Sequence, residues 1–108
     1  MDSQSHTDSG NILANTAQLA KGLSDANRIR ILQTLGTGKR SVSALVEELD
    51  LSQPLVSHHL RELKRVLLVQ VERKGPFVYY RLSDLRILDL LHSLQEMTDS
   101  ILQNRTQL

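Results

Sequence analysis

The residues of this chain best suited to chemistry lie in one stretch: Gln53, Ser57, His58, Arg61 and Lys64, followed by Arg73 and Lys74. A glutamine amide can bond two atoms of an adenine edge, and hydroxyl or imidazole groups can reach base edges or phosphate. Arginine and lysine further along a helix more often meet phosphate. The chemistry on offer is non-covalent recognition of a polyanion with readable edges, which points to duplex DNA. The stretch 53–81 holds six bases (Arg61, Lys64, Arg65, Arg73, Lys74, Arg81) against two acids (Glu62, Glu72), a surplus of four positive charges. The whole chain carries only +1, so the remainder is net acidic and the basic surface is local. A solvated charged face is the bland reading of any such cluster. What distinguishes this one is the pair of elements that must carry it.

Val56, Leu60, Leu63 and Leu67 recur at i, i+4, i+7 and i+11, an apolar line along one side of a helix. At about 100° per residue, Ser57, Arg61 and Lys64 lie roughly 80–140° round from Val56, and Pro54, His58 and Arg65 continue the polar side. His59 turns back toward the core and is expected to be packed or hydrogen bonded; adjacent His58 and His59 cannot jointly grip one metal ion. Ser52 is placed to cap this helix, and Pro54 falls in its first turn, where a missing N–H costs no hydrogen bond. Upstream, Ser41 is placed to cap a short helix over 42–48 that buries Val42, Leu45, Val46 and Leu49. Two helices joined by so brief a turn, Asp50-Leu51, have the form of a helix-turn-helix. Downstream, Val69 and Val71, then Val78, Tyr80 and Leu82, alternate with polar residues as two strands around Lys74-Gly75-Pro76. The tip of this hairpin is expected at Arg73-Lys74-Gly75, against flanking backbone or minor groove.

The rest of the pattern frames that unit. A first helix is expected over about 11–23, capped by Asp8 or Ser9, with Ile12, Leu13, Thr16, Leu19, Ala20 and Leu23 as its stripe. A second, over 26–35, is capped by Ser24 or Asp25 and ended by Gly36 and Gly38. A last helix over about 85–103, capped by Ser83 or Asp84, is apolar on more than one face, which suits packing against its own fold and against a partner chain. With 108 residues the chain fits one domain over 10–108 behind a disordered tail at 1–9. It has no cysteine, hence no disulfide or thiolate metal site. No apolar run approaches a membrane span, and the polar, slightly acidic start differs from a secretion signal. A soluble, cytoplasmic protein is expected.

Three blocks carry a family resemblance: Gly-Leu-Ser-Asp-Ala-Asn-Arg-Ile-Arg-Ile-Leu at 22–32, Leu-Ser-Gln-Pro-Leu-Val-Ser-His-His-Leu-Arg-Glu-Leu at 51–63, and Arg-Lys-Gly-Pro-Phe-Val-Tyr-Tyr-Arg-Leu at 73–82. In their order and spacing the chain resembles the ArsR/SmtB family of bacterial winged helix-turn-helix repressors. The resemblance implies a mainly α fold with a small β wing, in the order α1-α2-α3-α4-β1-β2-α5. It also implies a homodimer joined through the first and last helices and bound to an imperfect inverted repeat. Asn27, Arg28 and Arg30 are then partly structural, beneath the reading helix. One departure is Arg65-Val66-Leu67, where the family often has a glycine before Leu-Val; the fourth helix is expected to run slightly further into the wing.

Many relatives sense metals through a Cys-x-Cys pair at the start of the third helix, where this chain has Ser41-Val42-Ser43, and serine hydroxyls do not replace thiolates for soft metals. Other relatives use four ligands on the last helix, which align with Asp84, Arg86, Met97 and Ser100; only the aspartate survives, and an arginine there repels a cation. A residual metal candidate is Asp89, His92 and Glu96 on one helix face. The leading expectation is a sequence-specific DNA-binding transcriptional regulator, a homodimeric repressor with no cofactor and an effector the sequence does not name. The alternatives are a winged-helix protein-interaction module and a metal-responsive repressor using the Asp89, His92 and Glu96 site. No cysteine nucleophile, glycine-rich phosphate loop or Ser/His/acid set supports an enzyme.

Overall fold

The computed structural model, whose side chains are described over residues 10–105, has the order α1 (Asp2–Gly22), α2 (Ala26–Leu35), α3 (Val42–Leu49), α4 (Gln53–Arg65), β1 (Val69–Lys74), β2 (Phe77–Leu82) and α5 (Arg86–Gln107). The tail expected at 1–9 and its capping residue lie outside the described residues. Each inner helix starts where a side-chain oxygen meets its unpaired N–H groups. Asp25 accepts from the backbone of Asn27 and Arg28, Ser41 from Ala44, and Ser52 from Leu55. Asp50 closes α3 in the left-handed conformation (φ 54°) and turns the chain into α4 within three residues.

The core gathers one side of α2 to α5 and the base of the wing, with Leu19 of α1 partly buried against it. Ile31, Leu32 and Leu35 of α2, Leu45 and Leu49 of α3, and Val56, Leu60 and Leu63 of α4 are buried. Leu68, Val69 and Leu82 at the base of the wing and Ile87 and Leu91 of α5 complete the cluster. Gly22 is required at the end of α1, because a Cβ there would lie 2.9 Å from both Leu68 Cδ1 and Val66 Cγ2. The three second-helix residues of the family-like block are bound into this frame. Arg28 donates to the α1 carbonyls of Gly22 (2.9 Å) and Lys21 (3.1 Å), and Arg30 to the carbonyl of Leu49 (3.0 Å) at the end of α3. Asn27 accepts from Arg30 at 3.3 Å. Two helix C-termini thus receive guanidinium donors.

The two strands pair antiparallel with Val69 opposite Leu82, Val71 opposite Tyr80 and Arg73 opposite Val78 on one face. Gln70 and Arg81, Glu72 and Tyr79, and Lys74 and Phe77 pair on the other. Arg73 and Lys74 therefore belong to β1, and the tip is Gly75-Pro76, one step beyond the expected position. Gly75 has φ 58°, and the fixed negative φ of proline follows it, the sign pattern of a II′ hairpin turn. The sequence did not foretell a further antiparallel bridge, in which Arg40 and Tyr80 exchange backbone hydrogen bonds of 3.0 and 2.8 Å.

The fourth helix does not run on into the wing. It ends at Arg65, and Leu67 turns the chain with φ 66°. Leu68 N then bonds back to Leu63 O at 2.9 Å, as expected of a left-handed helix terminator. A leucine thus holds a backbone conformation that glycine adopts freely and that costs other L-residues about 1–2 kcal/mol. Its side chain is 77% exposed, so little burial offsets that cost. Leu67→Gly is therefore expected to stabilise the protein by about 1 kcal/mol, read as a higher urea midpoint at unchanged m-value; a lower midpoint would contradict the strain.

Candidate nucleic-acid interface

Complete burial of Val56, Leu60 and Leu63 sets the roll of α4 and turns its other side outward. Gln53, His58, Arg61 and Lys64 are exposed, and Ser57 is half-buried at the edge of that side. The α4 hydroxyl, amide and basic groups expected together thus share one outward surface. Arg65 is exposed and donates to Glu62 at 3.1 Å, an i, i+3 pair that neutralises the helix's one acid. The Arg65 hydrogen bond holds the Glu62 carboxyl below its ordinary range. Lys64 and Arg65 occupy the last turn, where cations also complement the helix dipole.

Arg73 and Lys74 are exposed near the end of β1. Lys74 Nζ lies 3.9 Å from Glu72 Oε1 with most of its side chain in solvent. Gln53 of α4 and Pro76 and Phe77 of the wing line one open cleft of about 710 Å³, whose floor includes Val42 and Val46 of α3. The N-terminus of the helix and the tip of the wing therefore border a common face. Phe77 is largely exposed there and stacks on Tyr79, ring centroids 6.4 Å apart. Sequence reasoning gave these two rings no role at this face; an alternating strand pattern marks the inward residues and leaves the outward ones unranked.

His59 is the one buried polar side chain in the described core. Its Nε2 lies 3.7 Å from Asp25 Oδ1, too far for a hydrogen bond, and Nδ1 has no hydrogen-bond partner among the described residues. The inward direction expected for it is correct; the packing is apolar with an electrostatic contact to the α2 cap. Desolvation lowers the imidazole pKa, and the attraction of Asp25 only partly opposes this. Desolvation also raises the Asp25 carboxyl, but the backbone donors of Arg28 and Asn27 and the neighbouring charges outweigh it and leave that pKa low.

The residual metal candidate is not supported. His92 Nε2 is committed to Glu96 Oε1 at 2.7 Å, and among the described residues no three His, Cys, Asp or Glu side chains form a group able to hold an ion. At the head of α5, Arg86 occupies both carboxylate oxygens of Asp84, at 3.1 and 2.7 Å, and Asp84 accepts from the Arg86 backbone at 2.8 Å. The guanidinium holds the Asp84 carboxyl down to about 2. Ser41 and Ser43, 3.3 Å apart through their hydroxyls, sit at the start of α3, where Ser41 is the helix cap.

A recognition helix with one side wholly buried, preceded by a capped helix and tight turn and followed by a basic hairpin, defines a winged helix-turn-helix. Comparison with known proteins agrees. The profile of the bacterial regulatory protein, arsR family, matches residues 25–71. The transcriptional repressor SdpR of Bacillus subtilis (strain 168) is 38% identical over 63 residues, 58% of this chain and 70% of that protein. The arsenical resistance operon repressor of Staphylococcus aureus is 32% identical over 82 residues, 76% of this chain and 79% of the repressor. Among solved structures, the homodimeric winged helix-turn-helix DNA-binding domain Mb0332 from Mycobacterium bovis is 28% identical. It superposes with a TM-score of 0.78 over 89% of each chain. This chain belongs to the arsR family of bacterial regulatory proteins, and it is a DNA-binding transcriptional regulator.

The depressed pKa of His59 sets a pH dependence. The unfolded chain takes up a proton below about pH 6.5, the ordinary histidine value, while the folded imidazole resists it. Folding stability is therefore expected to fall as pH drops below about 6.5. Denaturant unfolding of wild type and His59→Gln between neutral and mildly acidic pH measures this; equal slopes for the two proteins would refute it.

Proposed function

We propose that this protein is a homodimeric repressor that binds an imperfect inverted repeat at a promoter and occludes it, acting in the cytoplasm. The observation that carries the DNA contacts is the division of α4. Its buried line of Val56, Leu60 and Leu63 lies opposite an outward set of Gln53, His58, Arg61 and Lys64. In this reading Gln53 and Ser57 address base edges near the N-terminus of α4, with His58 beside them. Arg61, Lys64, Arg73 and Lys74 engage the phosphate backbone and fix the register.

The dimer reading rests on apolar side chains left in solvent. Ile12 and Leu13 of α1 and Leu94, Met97 and Ile101 of α5 are all exposed large apolar side chains, and they lie on the two helices through which the dimer would join. The homodimeric Mycobacterium bovis neighbour supports the same assembly. Two-fold symmetry would place the paired α4 helices about 34 Å apart, in successive major grooves. The reading also places control outside the two metal positions known in relatives. Ser41 serves as a helix cap, and Asp84 is taken up by Arg86.

Selection from a randomised duplex library, followed by binding titrations across salt, tests the assignment. Arg61→Ala and Lys74→Ala are expected to weaken binding to all sequences by similar factors and each to reduce the salt slope by about one. Gln53→Ala and Ser57→Ala should instead relax base preference at particular positions, by about 1–3 kcal/mol at each base pair read. Four variants that bind and select DNA like the wild type would remove α4 and the wing from the interface.

A further inference from the structure

Lys39 lies in the turn between α2 and α3, 33 residues before its partner Glu72 in the wing. The backbone bridge of the next residue, Arg40, to Tyr80 brings that turn alongside β2. Lys39 Nζ donates to Glu72 Oε2 at 3.2 Å and stands 4.9 Å from the centroid of the Tyr79 ring. Glu72 and Tyr79 are direct cross-strand partners on the outward face of the wing, so one ammonium group engages both at once. The hydrogen bond raises the Lys39 ammonium above its ordinary range and holds the Glu72 carboxyl below its own. The Lys39 and Glu72 side chains are both more than a third exposed, and such pairs add little to folding stability. Their effect is on the charge the wing presents.

Glu62 and Glu72 are the two acids of the basic stretch 53–81. Glu62 is neutralised within its own helix by Arg65. Glu72 is the wing's one carboxylate, two residues from the exposed Lys74. Its base at hydrogen-bonding distance comes from outside the stretch altogether. Lys74 itself stands 3.9 Å from Glu72 Oε1, so without Lys39 the carboxylate would claim Lys74 and repel the phosphates that this lysine would otherwise attract. We propose that Lys39 is a positioning residue for DNA binding that acts through Glu72: steadied by the Tyr79 ring, it neutralises the wing's carboxylate and keeps the wing cationic where it meets the backbone. This rests on the reading of the wing as a DNA-contacting element.

The test uses the full chain and a fluorescently labelled mixed-sequence duplex spanning two major grooves, with anisotropy titrations over a salt series. Lys39→Met is expected to weaken binding about fivefold, and Lys39→Arg to retain it. Adding Glu72→Gln to Lys39→Met should restore affinity to within about twofold of wild type, since the unmasked charge is gone. Urea midpoints of these variants should match the wild type. Several results overturn the proposal. A double variant as weak as Lys39→Met, with a salt slope about one unit shallower, would make Lys39 itself a phosphate contact. Wild-type affinity in Lys39→Met, or urea midpoints that fall in step with affinity, would also overturn it. Absence of salt-dependent binding by the wild type would defeat the DNA reading of the wing and this inference with it, whereas intact wild-type binding isolates a failure at Lys39.

Discussion

Burial of three side chains, Val56 at 0%, Leu60 at 1% and Leu63 at 0%, fixes α4 about its own axis. A rotation of the helix by one residue would swing about 100°, exposing one of these to water and driving Arg61 or Lys64 toward an apolar interior. Much of the interface follows from that constraint. The capped turn at Asp50 and Ser52 sets where the helix begins, and Leu68 and Val69 anchor the far end beneath the wing. The buried side and the proposed reading side thus share one thirteen-residue helix. On that proposal, core substitutions in α4 would alter DNA binding by rolling the helix, while changes on its outer side would leave the fold largely alone.

The legible part of this molecule was the part written in local periodicity and caps. The i, i+4, i+7 line, the Ser41, Ser52 and Asp25 caps and the alternating strands each leave a signature within a few residues, and each sits where the pattern puts it. The residues that reach across the chain left none. Arg40 pairs with Tyr80, and Lys39 with Glu72, across more than thirty positions. Both lie in a short turn between glycine-marked helix ends that reads as mere connection. Leu67 misled for a different reason. Its type suits a helix interior, and the expectation of a longer α4 followed from that, yet the tertiary position of Leu68 in the core requires a left-handed residue before it. Propensity yields to packing at that point.

Charge on the basic stretch 53–81 is managed residue by residue. Both of its acids have bases within salt-bridge distance: Arg65 for Glu62, and for Glu72 the nearby Lys74 together with the closer Lys39 from the turn before α3. Asp84, just ahead of α5, is likewise taken up by its neighbour Arg86. Pairings of this kind are weak as supports for the fold in water. They do decide which charges remain available to a polyanion, and Arg61 and Lys64 on α4 and Arg73 beside the wing tip stay exposed with that role open to them.

The Gly75-Pro76 turn has a consequence for the energetics of association. Proline removes one soft torsion from the tip, and the glycine before it holds a positive φ without steric cost. If the wing docks on a duplex as proposed, a fingertip this stiff surrenders little chain entropy in doing so, and a looser, glycine-only tip would make the same contacts at lower net affinity.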